Sequence, residues 1–268
     1  GSFTNWDYAN AFGSYASAEG FASTAVGVGA IATRENSTVL GGSYFVGANQ
    51  DGSMWGGDLV RSLADGAGAT AVGAGAQAMA DQSIAMGTLS QALGVDSIAL
   101  GSMATAEADG ATTVGNYSSA LGTGSTAMGN GAMARGEYST ASGFGASAIG
   151  DESTALGAMS DASGLGSTAV GARASASADN SVAIGSGSIA DRANTVSFGS
   201  IGAERQLVNV ADGSEDTDAV NVRQLRAAGL VDVDGSALHA VTYDSMTMNR
   251  ITFGGAGGTV LGNVGAGQ

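Results

Sequence analysis

A glycine returns every fourteen residues, without a slip, from Gly73 through Gly87, Gly101, Gly115, Gly129, Gly143, Gly157, Gly171 and Gly185 to Gly199. No other feature of the chain restricts its folding so severely, because a fixed short period means stacked, near-identical units. The unit reads Ser, then Thr, Ile or Val, then Ala, an apolar residue and Gly, as in Ser97-Ile98-Ala99-Leu100-Gly101 and Ser181-Val182-Ala183-Ile184-Gly185. The same register already runs through Gly13, Gly27 and Gly41.

The second half of the unit is equally regular. The fifth residue after each glycine is Ala32, Ala78, Ala92, Ala106, Ala120, Ala134, Ala148, Ala162, Ala176 or Ala190, and the third is Ala or Ser. Alternation of tiny and larger residues at period two is strand patterning, because successive strand side chains point to opposite faces. Fourteen residues then make two strands of about five residues and two tight turns. The fold class is all-β: one coil of a flattened, two-sided parallel β-solenoid per repeat.

Tiny inward residues mean that the two strands of a coil lie back to back, with Ala99, Ala104 and Ala106 filling the gap. The opposite face of the first strand carries Val72, Met86, Leu100, Val114, Met128, Leu156, Val170 and Ile184. A column of large aliphatic residues does not stay in water. Burying one such side chain is worth roughly 1.5–3 kcal/mol, so about ten rungs offer roughly 15–30 kcal/mol gross per chain, as an upper bound. Closed cyclic association about an axis parallel to the stack buries every column at once. The outer face of the second strand varies freely, through Gln77, Met79, Glu107, Met133, Arg135 and Asp161. That face is the solvent side.

Composition narrows the classes of function. The 268 residues include no Cys, no Pro, 46 Gly and nine Lys plus Arg, all of them Arg, for a formal charge of −15. So few cations argue against nucleic acid as a partner. The absence of cysteine leaves the redox compartment open. No basic leader and no run of eighteen apolar residues is present, so if the parent protein is exported and anchored, its signal peptide and C-terminal membrane anchor lie outside this piece. Arginine used to the exclusion of lysine points to a GC-rich, Burkholderia-like genome.

Taken in order, residues 1–41 hold the first coils and an N-terminal aromatic cluster, Phe3, Trp6, Tyr8, Phe12 and Tyr15. The cluster reads either as a cap over the first rung's open strand edges or as a ligand-contacting tip. Residues 42–68 interrupt the repeat: Gly41 and Gly73 are 32 residues apart, two coils plus four residues. The insert replaces or decorates rungs, and Asp58 to Leu63 suits a helical turn. It serves either as a packing or oligomer patch or as a binding loop. Residues 69–204 are the regular roll. In residues 205–228, Asp216, Thr217 and Asp218 offer N-cap oxygens, Ala219, Val222 and Leu225 recur at helical spacing, and Gly229 ends a short helix. Val222 and Leu225 join the aliphatic column as expected subunit contacts. Residues 229–268 read as a β-rich connector, with strands near 230–235, 240–244 and 250–255.

Units such as Asn180-Ser181-Val182-Ala183-Ile184-Gly185 resemble the head repeat of YadA-like trimeric autotransporter adhesins of Gram-negative bacteria. Two phrases, 205–213 (Arg205-Gln206-Leu207-Val208-Asn209-Val210-Ala211-Asp212-Gly213) and 216–225 ending in Val222-Arg223-Gln224-Leu225, resemble that family's neck. The resemblance implies a left-handed parallel β-roll, assembly as a homotrimer, a coiled-coil stalk and an outer-membrane, cell-surface location. It also implies attachment to host extracellular-matrix proteins or to cell-surface receptors and glycans.

No catalytic, cofactor or metal site emerges from the residues. His239 is the only histidine, so a triad or histidine cluster needs another chain's help. The Gly-x-Gly-x-x-Ala pattern recurs too often for a dinucleotide turn. Asp232 with Asp234, and Asp212 with Glu215, Asp216 and Asp218, lack a calcium loop's spacing and read as solvated turns. A threonine ladder through Thr70, Thr112, Thr126, Thr140, Thr154 and Thr168 suits an ice-binding solenoid, and a plain surface-layer rod is a further alternative. The favoured reading is a non-enzymatic adhesin head. Its candidate ligand contacts are Tyr44, Trp55 and Arg61 in the insert and Arg135 and Arg173 on the roll.

Overall fold

The computed structural model describes residues 1–46, 58–231 and 234, and the chain forms two compact units, Gly1–Arg205 and Gln206–Gln268. In the first unit each regular coil supplies a three-residue strand and a two-residue strand, such as Ile98–Leu100 and Thr105–Ala106. They stack in parallel into two 13-stranded sheets, and each residue pairs with the one fourteen positions on, as in Ile98↔Thr112 and Thr105↔Ser119.

The strands are shorter than the five residues expected from the pattern, because the turns take up the rest of the coil. The ladder nevertheless runs on through those turns. Gly101 donates to Met86 O at 2.8 Å, Met103 to Thr88 O at 2.9 Å and Gly110 to Val95 O at 2.8 Å. Backbone N–H and C=O groups around the whole coil are thus answered by the neighbouring coils.

Ala99, Ala104 and Ala106 are fully buried, as the pattern requires. The serine two residues before each strand alanine is buried with them: Ser83, Ser97, Ser125, Ser139, Ser153, Ser167 and Ser181. The largest wholly buried side chains among the described residues are Val39 and Thr113. Several of these hydroxyls donate to the carbonyl three residues back, Ser83 to Ala80 at 2.6 Å, Ser139 to Gly136 at 2.7 Å and Ser181 to Ala178 at 2.6 Å. A hydroxyl satisfied within its own turn costs the core little.

The periodic glycine answers two constraints at once. Gly101 has φ +136°, and a Cβ there would stand 2.3 Å from Gly115 O on the next coil. Both backbone conformation and stacking distance exclude a side chain at this corner.

The insert enlarges one turn and disturbs nothing else. Thr38–Leu40 pairs directly with Thr70–Val72, and Ile31–Ala32 with Leu63–Ala64. From the corner after Gly41 the chain instead leaves as an antiparallel hairpin, Tyr44–Val46 against Asp58–Val60. The insert therefore decorates a single coil. The helical turn expected at Asp58–Leu63 is absent; strand segments Asp58–Val60 and Leu63–Ala64 stand there, since those residues pair across the hairpin and into the roll. The buried Ser62 hydroxyl pins the hairpin's base, donating to Gly42 O at 2.7 Å and Gly73 O at 2.8 Å and accepting from Gly75 N at 3.1 Å.

The aromatic N-terminus is itself a coil, not a cap. Phe3–Thr4 pairs with Ser17–Ala18 and Asn10–Phe12 with Thr24–Val26. Its rings occupy outward-pointing repeat positions, so Phe3, Trp6, Tyr8, Phe12 and Tyr15 are all exposed and do not fold over the first strands. One of them, Tyr8, makes a ring contact, edge-on to Phe21 of the next coil at 5.7 Å.

In the second unit the helix is Val222–Ala227, with Asn221 as N-cap and Gln224 completing a capping box. Its start lies later than Asp216–Asp218 suggested, because the Asp218 carboxylate instead accepts from Ser214 N at 2.9 Å and Glu215 N at 3.0 Å, closing a separate turn. The chain turns out of the helix at Gly229, φ 68°, as expected. The strands expected near 230–235, 240–244 and 250–255, together with His239, fall outside the described residues apart from 230, 231 and 234.

Gly101→Ala is expected to cost about 3 kcal/mol or more in denaturant unfolding followed by circular dichroism. Ser102→Ala, one residue on, should stay within about 0.5 kcal/mol. Equal effects at the two positions would show that the glycine corner does not set the stacking.

Candidate binding surfaces

The outer face of the three-residue strands carries the aliphatic column, and in the single chain it is only partly covered. Met86, Val114, Met128, Leu156 and Ile184 are each between 39% and 44% exposed, while Val72, Leu100 and Val170 are half-buried. Neighbours above and below in the column cover the remainder. The threonines Thr70, Thr112, Thr126, Thr140, Thr154 and Thr168 are half-buried on this same face, two residues before the aliphatic position.

The other sheet faces away, and its outer positions are mixed. Gln91 Nε2 donates to Gln77 Oε1 at 3.1 Å across one rung, with Met79 and Leu93 exposed beside them. Arg135 is exposed on this sheet, its guanidinium 3.4 Å from Met133 Sδ. Arg61 and Arg173 are exposed at the corner that follows the three-residue strands, eight rungs apart, roughly 38 Å at about 4.8 Å per rung. Tyr44 stands on the hairpin base, 37% exposed, where it and Val60 lie over Gly75 of the next coil. The sequence candidates thus occupy two faces and do not converge on one site. Trp55 lies outside the described residues.

The corner on the other side of the coil is acidic and built by a device the residue pattern did not reveal. Asp81, Asp109, Asp151 and Asp179 each accept from a backbone N–H one coil earlier, those of Ala67, Val95, Glu137 and Leu165, at 2.8–3.0 Å. No two of these four aspartates occupy adjacent coils, although Glu137 holds the same repeat position one coil before Asp151. Their signal in the sequence was an Asp eight residues after Gly73, Gly101, Gly143 and Gly171.

At the last coil an open cleft of about 640 Å³ is lined by Ile189, Val196, Phe198, Ile201 and Arg205, among others. Arg205 closes the roll from within its own chain: its guanidinium donates to Ser188 Oγ at 2.8 Å, Phe198 O at 2.6 Å and Ser186 O. One planar cation satisfies acceptors that a further coil would otherwise have met.

In the second unit Asp212 organises the polar contacts. It accepts from Asn221 Nδ2 at 2.7 Å and from Arg223 Nη2 at 2.8 Å. The Gln224 amide bridges Gly213 through N at 3.0 Å and O at 2.9 Å. The Arg223 guanidinium first, then the Asn221 amide, hold the Asp212 carboxyl below its ordinary 3.8. The N–H groups of Ser214 and Glu215 do the same for Asp218. None of the helix residues is buried in the single chain; Val222 is exposed and Leu225 half-buried.

Among the described residues no helix is long and apolar enough to cross a membrane, and no three His, Cys, Asp or Glu side chains group as metal ligands.

The model of the YadA head domain repeat matches residues 18–43, 64–90 and, in overlapping copies, 92–118 and 114–200. The chain belongs to the YadA-like trimeric autotransporter adhesins. The matches to the adhesin head skip the hairpin insert, and the coiled stalk of trimeric autotransporter adhesin matches residues 206–230. Among solved structures, the collagen-binding domain of the Yersinia adhesin YadA is similar at 32% identity, covering 70% of this chain and 96% of its own, with a TM-score of 0.49. No curated protein matches significantly. Membership makes this chain an adhesin of a family displayed at the bacterial surface, and it favours that reading over an ice-binding solenoid or a surface-layer rod.

Because the carboxyls of Asp212 and Asp218 are held low in the folded neck, they contribute stability above the ordinary carboxylate value that is lost as pH falls below it. Hydrogen exchange from about pH 6 to about pH 3, corrected for intrinsic rates, should therefore show protection falling at Ser214, Glu215 and Gly213. The ladder amides of Gly101 and Met103, bonded to uncharged carbonyls, should keep theirs. Unchanged protection in the neck would sink the assignment.

Proposed function

We propose that this chain is the head and neck of an outer-membrane adhesin that attaches bacteria to host extracellular matrix as a homotrimer. The observation that carries the reading is the uncovered aliphatic column in a chain of this family. Rolls packed around a common axis bury Val72, Met86, Leu100, Val114, Met128, Leu156, Val170 and Ile184 together, and Val222 and Leu225 are the subunit contacts assigned within the neck.

About two-fifths of these side chains remain open at the most exposed positions. The gain from covering them is then at most roughly 6–12 kcal/mol per chain rather than the roughly 15–30 expected for full exposure. Summed over three copies this is of the order needed to offset two association steps at about 4–15 kcal/mol each.

Attachment then works by geometry. A stiff ladder holds the variable sheet, the corners and the hairpin outward in three copies, and contacts that are weak singly gain avidity where the ligand offers repeated sites. Tyr44, Trp55 and Arg61 of the insert and Arg135 and Arg173 of the roll are the contacts assigned to the ligand, a matrix protein in the first instance.

Leu100→Asp should convert a trimer in sedimentation equilibrium into a monomer with unchanged circular dichroism, since it places a charge where three columns meet. In a binding array of matrix proteins, the Tyr44→Ala, Trp55→Ala, Arg61→Ala triple variant should keep the trimer and lose about tenfold or more in apparent affinity. A triple variant that binds like the parent removes the insert from the binding surface.

A further inference from the structure

The aliphatic column has one break. From Phe12 to Phe198, every residue before a periodic glycine is large and apolar except Ser142. In the sheet Ser142 pairs with Met128 on one side and Leu156 on the other, and both neighbours carry exposed side chains. The result is a notch one rung high in an otherwise continuous apolar face.

The same coil holds a second irregularity. The residue after the periodic glycine is small or polar at Ser14, Gly42, Ala74, Thr88, Ser102, Asn116, Asn130, Ala158, Ala172 and Ser186 and is valine at Val28, but at this coil it is Phe144. Phe144 is the one aromatic at that repeat position, and 59% of it is open to solvent, so its own chain does not account for the ring. The bulk missing before Gly143 reappears just after it.

Resting on the trimer proposed above, we infer that Phe144 of one copy fills the notch at Ser142 of the adjacent copy. A cyclic assembly about an axis along the stack sets identical layers at one height, so loss and gain of volume within one coil compensate only between copies that are not staggered. Sheets pack about 10 Å apart face to face, a span that a phenyl ring covers and a serine does not. Elsewhere the column is a row of similar aliphatic residues, on which neighbouring copies can slip by one rung with little loss. At this layer a one-rung slip leaves the notch empty and drives the ring against Met128 or Leu156. Phe144 and Ser142 therefore act as a register key for the trimer.

The test is a double-mutant cycle on the whole 268-residue chain, read as the protein concentration at half-dissociation in sedimentation equilibrium, with mild denaturant where the parent does not dissociate. Phe144→Ala and Ser142→Leu should each raise that concentration about tenfold or more, and the double variant should return to within about threefold of the parent. Ser142→Ala, which keeps the notch open, should match the parent and serves with circular dichroism as the folding control. If either single variant associates like the parent while the trimer persists, or if the double variant shows the two losses simply added, the key is wrong and the trimer stands. A parent chain that is monomeric throughout defeats the assembly reading itself.

Discussion

The spacing between the two strands of a coil, filled almost throughout by alanine and serine and admitting nothing larger than Val39 and Thr113, governs everything else in the roll. It forbids a conventional hydrophobic core, for the interior offers no room to Leu or Phe. Cohesion therefore falls to the hydrogen-bond ladder, which continues through the corners as well as the strands. Glycine sits at the first corner because the coils approach so closely there that a Cβ meets the next coil's carbonyl.

From a thin interior it follows that large apolar residues can only point outward. On one sheet they form a column, and on the other they are scattered among polar groups. The asymmetry gives the roll one continuous apolar face and one mixed face, which is the division the proposed assembly uses. Both ends of the stack pose a related difficulty, since an open ladder exposes unpaired groups. Arg205 answers it at one end with a guanidinium laid on carbonyls, whereas the first described coil turns its aromatic rings outward.

Periodicity carried most of this in plain view. The alternation around Ala99 and Ala106 gave two strands per coil and an alanine interior, and the residues before the glycines marked the aliphatic face. The buried serines were less legible: Ser139 lies two residues before Ala141 and shares its face, yet polarity argues for solvent until its local hydrogen bond to Gly136 O is seen. The helix start was misplaced because Asp218 and Asn221 are both good caps, and only the partners of their side chains decide which turn each one closes. The insert was ambiguous for a different reason: 32 residues between Gly41 and Gly73 fit two coils almost as well as one enlarged corner, and only pairing between Thr38 and Thr70 separates them. The candidate contacts were drawn from side-chain chemistry alone, which carries no information on convergence, so they came out spread over distant rungs.

The hairpin leaves the roll at one corner and returns to the same corner, with Ser62 clasping its base, so the strands on either side meet as though it were absent. Such a chassis tolerates grafts. Loops of different length and character can be exchanged at that corner without shifting the phase of any column downstream, and the recognition part of the surface is then free to diversify while the part that must match its neighbours stays fixed.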